Sequence, residues 1–381
     1  MFEPISQWFW NEKFWLPPNI RWADLNNAKS SIRIPETHDL YVVFPLTLLI
    51  ICIRRVFERF IALPLLLKFG LKDRSGVKVK SNPMLEKVYK DLTGTLQQQQ
   101  VKTLASKLGW TVKNVEKWFH YRSNVSKPSR LTKAKESSWR FFFYFSICIL
   151  GTIVLAKEDY LFDSRHFWIG YPNHDLQDGV YYYYVIELSF YSALLISQFT
   201  DVKRKDFWIQ TIHHLVTISL LVFSYSCNFV RVGAVILLVH DTTDILLECG
   251  KVSKYLSSVM DIQRFCDLIF GMFAIVFFIS RIVILPFWII RSAYFEAATI
   301  FKETWPMYYC FNALLLALQT MHLYWGYLVA RMAYVFFVEG QVENDARSDS
   351  EESSTNEENN SVLENSFTEK REILNGKKKV H

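Results

Sequence analysis

The chain has 381 residues, 51% of them hydrophobic, with 31 Phe, 19 Tyr and 12 Trp. That exceeds the aromatic content of an ordinary soluble domain, and Tyr and Trp favour membrane interfaces. The net charge of +6 conceals an asymmetry, because residues 54–140 are dense in Lys and Arg while residues 343–358 are acidic; the six cysteines form no CxxC pair, which argues against a zinc ribbon or a disulfide framework.

The chain begins MFEPISQWFWNEKFWLPP, aromatic but broken by charge, and this does not read as a cleavable signal peptide. Residues 1–39 are taken as an N-terminal segment. A hydrocarbon core needs about 20 apolar residues in a helix. Seven spans are expected, at roughly 40–62, 139–156, 180–199, 207–224, 229–248, 265–290 and 307–332. The first is the weakest, since its clean run Tyr41–Ile53 meets Arg54 and Arg55; Phe141–Ala156 is the clearest. Between these two lies a soluble island, 67–128. Its apolar residues recur at helical spacing in three groups: Leu85, Val88, Tyr89, Leu92; Val101, Leu104, Leu108; Val112, Val115, Trp118, Phe119. Gly109 and Thr111 mark a tight turn and an N-cap, so the island reads as three short helices with a helix-turn-helix character. Residues 131–332 are the membrane domain. The tail, 338–381, lacks apolar periodicity and is expected to be disordered. In it Ser348, Ser354 and Thr355 each precede an acid by three residues, a pattern that suits an acid-directed kinase as well as a merely solvated tail.

Charge orients the spans. Segment 54–140 carries about twenty Lys and Arg, 200–206 carries Lys203, Arg204 and Lys205, and 249–264 carries Lys251, Lys254 and Arg264. The alternate connections, 157–179, 225–231 and 291–306, are poor in bases. The positive-inside rule then places the N-terminus in the lumen and the C-terminus in the cytosol. Lys378 and Lys379 in the final KKVH fit a dilysine retrieval signal for the endoplasmic reticulum, which requires that same cytosolic C-terminus.

Ionisable groups inside spans are costly, so function is their default reading. They concentrate in FWIQTIHHLVTISLL, with His213 and His214, and in VRVGAVILLVHDTTDILLE, with His240, Asp241 and Asp244. His213 lies about 10 Å below the start of its helix near Asp206, and His240 about 14 Å from the end of its own near Cys249, at 1.5 Å per residue. The two spans run in opposite directions and so bring these groups to one level. Buried histidines hydrogen-bonded for packing are the bland alternative. Diiron lipid hydroxylases need about eight histidines in repeated boxes. Only three of this chain's nine (38, 120, 166, 174, 213, 214, 240, 322, 381) lie in the cluster, so no metal is expected. A mononuclear site of two histidines and a carboxylate is a remaining rival. Acid–base or nucleophilic work suits the cluster better, with carboxylates setting the imidazole tautomer. Lys203, Arg204 and Lys205 at its mouth either hold the phosphates of a nucleotide-bearing donor such as coenzyme A or only enforce topology.

The block DVKRKDFWIQTIHHLVTISLLVFSYSCNFVRVGAVILLVHDTTDILLECGKV resembles the signature of the ceramide synthases of the TLC superfamily. KRKDF, the paired histidines, FSY, N-x-x-R-x-G and HDxxD occur in order, and the likeness extends over nearly the whole chain, to the homeobox-containing type. It implies an all-α polytopic membrane enzyme with a three-helix homeobox-like cytosolic module. It implies acyl transfer from acyl-CoA, as co-substrate, to the 2-amino group of sphinganine or another sphingoid base, without a bound cofactor. His213 then matches the acyl acceptor or base, His214 and His240 its supports, and Asp241 and Asp244 their orienters. A covalent acyl-imidazole and direct general-base attack both remain open. The resemblance places acyl-length selectivity in the lumenal connection 291–306, at Tyr294, Phe295 and Glu296. It leaves homo- and hetero-dimers with related synthases open. A non-catalytic TLC-fold lipid binder or transporter is the alternative. Two departures stand out. Tyr121 occupies the position where a DNA-reading homeodomain has the Asn that contacts adenine, so no nucleic acid partner is expected beside the membrane lipids. The lumenal stretch reads Asn19-Ile20-Arg21, which is not a sequon, whereas Asn124-Val125-Ser126 and Asn359-Asn360-Ser361 fall on the expected cytosolic side.

Overall fold

All regular structure is helical and no strand occurs among the described residues, 8–27, 32–72, 82–91, 98–125 and 128–339 of a computed structural model. The acidic tail with Ser348, Ser354, Thr355, Asn359, Lys378 and Lys379 lies outside them, as do residues 73–81 and 92–97 of the soluble island and the side chains of Tyr121 and Asn124.

Helix α1 (Thr37–Lys68) starts as a 3-10 turn over Thr37–Val42 and passes one wider π turn at Glu58–Ala62. The island supplies α2 (Pro83–Asp91), α3 (Gln98–Leu108) and α4 (Val112–Val125), which close on their own small core of Leu85, Val101, Leu104, Ala105, Val115 and Trp118. Gly109 takes the left-handed conformation, φ 63°, that a tight turn between α3 and α4 requires. Thr111 caps α4 by accepting the Asn114 amide at 3.3 Å.

The membrane domain follows as α5 (Arg130–Leu155), α6 (Asp178–Ser197), α7 (Phe207–Ser226), α8 (Val230–Leu256), α9 (Gln263–Phe301) and α10 (Pro306–Glu339). By length and composition, five described helices are apolar enough to cross a membrane: α1, α5, α7, α9 and α10. The sequence suggested about seven spans. The other two segments are helices of matching length, but the Tyr181–Tyr184 run and Glu187 make α6 more polar, and Arg231, His240, Asp241, Asp244, Glu248 and Lys251 do the same for α8. Both are largely covered by neighbours: α8 packs on α5 and α9, while α6 lies between α1 and α7. Two glycines permit the closest crossings. A Cβ on Gly151 of α5 would sit 2.8 Å from the Tyr183 ring, and one on Gly233 of α8 would strike Tyr184.

Two boundaries differ from expectation. Helix α8 continues past the expected exit near residue 248 to Leu256, because Lys251–Leu256 is as good a helix former in water as in lipid. More consequentially, the expected connection 291–306 is mostly helix. Pro286 lacks an amide donor, and around it the ladder adopts the wider π register over Phe278–Ile290 and Ser292–Glu296, then continues as α-helix to Phe301. The turn to α10 is left with residues 302–305, where Lys302 takes φ 61°.

One end of the bundle is closed by the N-terminal segment, which buries Trp15, Leu16, Leu25 and Ile34. Trp15 packs edge-on to Phe223 of α7, and Leu176 donates its amide to the Arg33 carbonyl at 2.7 Å. In the loop beside it, burial first and the Arg231 charge second hold the His174 imidazole down to about 4, so it is neutral at neutral pH. The opposite end is ionic. Arg54 bonds Glu58 at 2.6 Å and Asp201 at 2.7 Å; Glu248 holds Lys251 at 2.6 Å and Arg140 at 3.3 Å. These pairs tie α1, α5, α8 and the α6–α7 loop together where single buried charges would be untenable.

Candidate active site

His213 and His214 follow two turns of α7 from the ionic end, and both are buried. The His213 ring meets Trp325 of α10 edge-on at 5.2 Å and lies 5.6 Å from His214. Trp325 is itself fixed, since its indole donates to Asp206 at 3.1 Å. His214 Nε2 is 3.2 Å from the amide nitrogen of Gln210, one turn back, and so accepts from it. His240, on α8, reaches the same level, and a fourth imidazole joins the two helices. His322 of α10 has its Nε2 3.2 Å from His240 Nε2, and its ring centre 6.1 Å from that of His213.

The two acids do not hold imidazoles, contrary to the expected role of Asp241 and Asp244 as orienters. His240 Nδ1 lies 2.7 Å from the Ile236 carbonyl, because helical side chains lean back toward the N-terminus and a ring there meets its own preceding turn. Asp244 instead accepts from Arg281 of α9 at 2.7 Å, and the same guanidinium nitrogen donates to the His240 carbonyl at 3.1 Å. Asp241 accepts from the Tyr183 hydroxyl at 3.1 Å, with Glu187 of α6 buried beside it. The Arg281–Asp244 pair is deep and enclosed. Replacing Arg281 by Leu should therefore destabilise the fold by about 3–5 kcal/mol, the cost of a buried charge left alone. Adding Asp244→Asn to that variant should recover most of the loss. Thermal unfolding in detergent reads both, and an unchanged midpoint in Arg281→Leu would contradict the pairing.

Two separate cavities approach this level. The first, about 1190 Å³, is polar and faces the ionic end; His213, His214, Gln210, Asp244, Glu248 and Trp325 line it, with cations from Arg140, Arg204, Lys251 and Arg281. The second, about 770 Å³, is apolar and runs toward the capped end from His240 past Leu237, Gly233 and Leu315 to Ala293, Ala297, Trp168 and Trp305. Tyr191 borders both. Of the basic trio, Arg204 alone lines the polar cavity, while Lys203 and Lys205 are exposed. Tyr294 and Phe295 do not line the apolar one. They are 47% and 60% exposed on the outer face of α9, and Glu296 accepts hydrogen bonds from Ser164 at 2.8 Å and Ser292 at 2.7 Å. On a continuous helix, Ala293 and Ala297 point inward where a loop was expected to act.

Among the described residues, no three of His, Cys, Asp and Glu are grouped so as to hold a metal ion. The groups missed from sequence are His322, Arg281, Arg140, Lys251 and Trp325. Arg281 was findable as a lone charge inside an apolar run. His322 was an isolated histidine, and no spacing linked it to the cluster.

A helical membrane bundle with histidines and acids collected beneath a charged mouth defines a polytopic TLC-type membrane protein, and residues 133–331 match the family described as the TLC domain. Within that class the chain belongs to the ceramide synthases. It is 42% identical to human ceramide synthase 5 over 351 residues, 92% of this chain and 88% of that protein. Human ceramide synthase 4 is 40% identical over 358 residues, 94% and 89% of the two chains. Ceramide synthase hyl-1 of Caenorhabditis elegans is 31% identical over 353 residues, 90% and 84%.

Proposed function

We propose that the chain transfers a fatty acyl group from acyl-CoA to the 2-amino group of a sphingoid base, yielding dihydroceramide or ceramide and free CoA. The observation that carries this is a charged cavity lined by His213 next to an apolar one lined by His240, with Tyr191 common to both. A thioester with a charged head and a long hydrocarbon tail needs that pairing, with its carbonyl between the two. His213 acts there as acyl acceptor or base, and His214 supports it. The polar cavity opens to the cytosol, where acyl-CoA is soluble, and residues 8–27 and 32–36 cap the lumenal end. The site of action is the endoplasmic reticulum membrane. The test is turnover of sphinganine by purified protein across acyl-CoAs of several lengths. Binding of both lipids without amide formation would favour the transport reading instead.

The cavity lining also separates the basic trio. Arg204→Gln should raise the KM for acyl-CoA roughly tenfold, since a hydrogen bond to a charged group is worth about 1.5–3 kcal/mol. Lys203→Gln and Lys205→Gln should change it less than twofold, as exposed charges contribute little. The KM for sphinganine should stay put in all three. Equal effects from all three residues would place the CoA phosphates outside this cavity.

A further inference from the structure

Tyr191 of α6 is the one residue shared by the linings of the polar and the apolar cavity. Its ring centre lies 6.0 Å from that of His214, which in turn adjoins His213. A buried tyrosine hydroxyl usually finds a hydrogen-bond partner. That of Tyr191 makes no hydrogen bond among the described residues, and its oxygen is not one of the enclosed, unbonded side-chain atoms that include Glu187 Oε1 and Thr217 Oγ1. The residue keeps 2% of its surface, so the hydroxyl opens into cavity space.

The neighbouring polar groups have no claim on this donor. Asp241 accepts from Tyr183 at 3.1 Å, and Asp244 from Arg281 at 2.7 Å. The other donors at this level are engaged: Gln210 faces His214 at 3.2 Å, Trp325 donates to Asp206, and His240 Nδ1 lies 2.7 Å from the Ile236 carbonyl. Tyr191 therefore holds a spare O–H where an acyl donor passes from one cavity to the other. With its charged head in the first and its chain in the second, that donor has its carbonyl between the two.

We propose that Tyr191 is a catalytic residue of this acyl transfer, its hydroxyl donating a hydrogen bond to the acyl oxygen as charge develops there; the assignment rests on the acyltransferase reading above. When a nitrogen lone pair bonds to the acyl carbon, the π pair of the carbonyl moves onto its oxygen. That nitrogen belongs to the sphingoid-base amine or first to His213. The charged oxygen is stabilised by a donor already in place in an enclosed site. The pair then returns, the carbonyl reforms, and the bond to the leaving atom breaks. Tyr191 keeps its own proton throughout. The amine loses one proton and the CoA sulfur gains one, so the sum is an amide and CoA thiol. Because the bond strengthens as the charge grows, it favours the transition state over the bound substrate.

The test uses full-length protein in detergent with sphinganine and palmitoyl-CoA. Tyr191→Phe keeps the ring and removes only the O–H. It should lower kcat by about 10²–10³-fold, the usual cost of one oxyanion donor, with both KM values within about threefold. The melting temperature should stay within about 2 °C, since no bond of the folded protein is lost. Two further variants serve as comparisons: the Tyr144 ring lines only the polar cavity, and Thr217 only the apolar one. Tyr144→Phe and Thr217→Val should each keep kcat within about threefold of wild type. Turnover within threefold of wild type in Tyr191→Phe overturns the assignment, as does an equal or larger loss in either comparison variant. Raised KM values at unchanged kcat also overturn it, because they would mark a binding contact alone. A lowered melting point, or failure of Tyr191→Phe to accumulate, does the same by revealing a structural bond where a free hydroxyl is required. Absence of turnover by the wild-type chain with any acyl-CoA overturns the acyltransferase reading itself.

Discussion

His213→Ala is expected to abolish N-acyl transfer while the chain still accumulates in membranes. Removing a positioned acid–base group costs about 10²–10⁴-fold in rate, and a nucleophile that carries the acyl group costs at least as much. The geometry explains why this position is singled out. His213 and His214 both line the polar cavity, but it is the His213 ring that packs on Trp325, and Trp325 is held by Asp206. A ring held from two sides by packing and by a fixed indole is already oriented, so little entropy is lost when substrate arrives. His214→Ala should also lose activity, but less. Its Nε2 is already engaged by Gln210, which suits a supporting role. Turnover of sphinganine, compared with the amount of protein in the membrane, is the measurement. A His213→Ala chain that turns over like wild type removes this residue from the chemistry, and a His214→Ala chain more damaged than His213→Ala reverses the two roles.

The sequence made the helical, membrane-embedded class and the polar level legible, because both depend on properties of single segments. Apolar length identifies a crossing, and the cost of an ion in lipid makes His213, His214, His240, Asp241 and Asp244 conspicuous. What failed depends on which helix lies beside which. His240 and Asp244 are four residues apart and so share a helix face, but Arg281 arrives from α9 and takes the acid, leaving His240 to the Ile236 carbonyl and to His322. Nothing along the chain connects residue 322 to residue 240. The connection 291–306 failed for another reason. Charge at Arg291 marks where the apolar run ends, but a helix does not end where its apolarity does, and α9 runs on to Phe301.

That continuation moves the expected length gauge from a loop to a cavity floor, so Ala297→Phe should shorten the preferred acyl chain. From His322 to Tyr308, α10 descends fourteen residues, about 21 Å. A zigzag chain of about 1.52 Å bonds at about 111° advances roughly 1.25 Å per carbon, so about 17 carbons fit between the reactive level and the floor. Ala297 is 1% exposed and lines that floor with Ala293, Trp168 and Trp305. Trp168 donates its indole to Ser292 at 2.9 Å, which ties the floor to α9 and keeps it from yielding freely. A phenyl ring there excludes the last few methylenes, and each methylene in an apolar pocket is worth about 1–3 kcal/mol. Palmitoyl-CoA should therefore fall at least tenfold relative to myristoyl-CoA or shorter donors, in kcat/KM measured by competition between acyl-CoAs. Tyr294→Ala and Phe295→Ala, on the outer face of the same helix, should leave the length profile unchanged. The opposite pattern, a profile that follows Tyr294 and Phe295 but ignores Ala297, would mean the chain end lies outside this cavity, against the outer surface of α9.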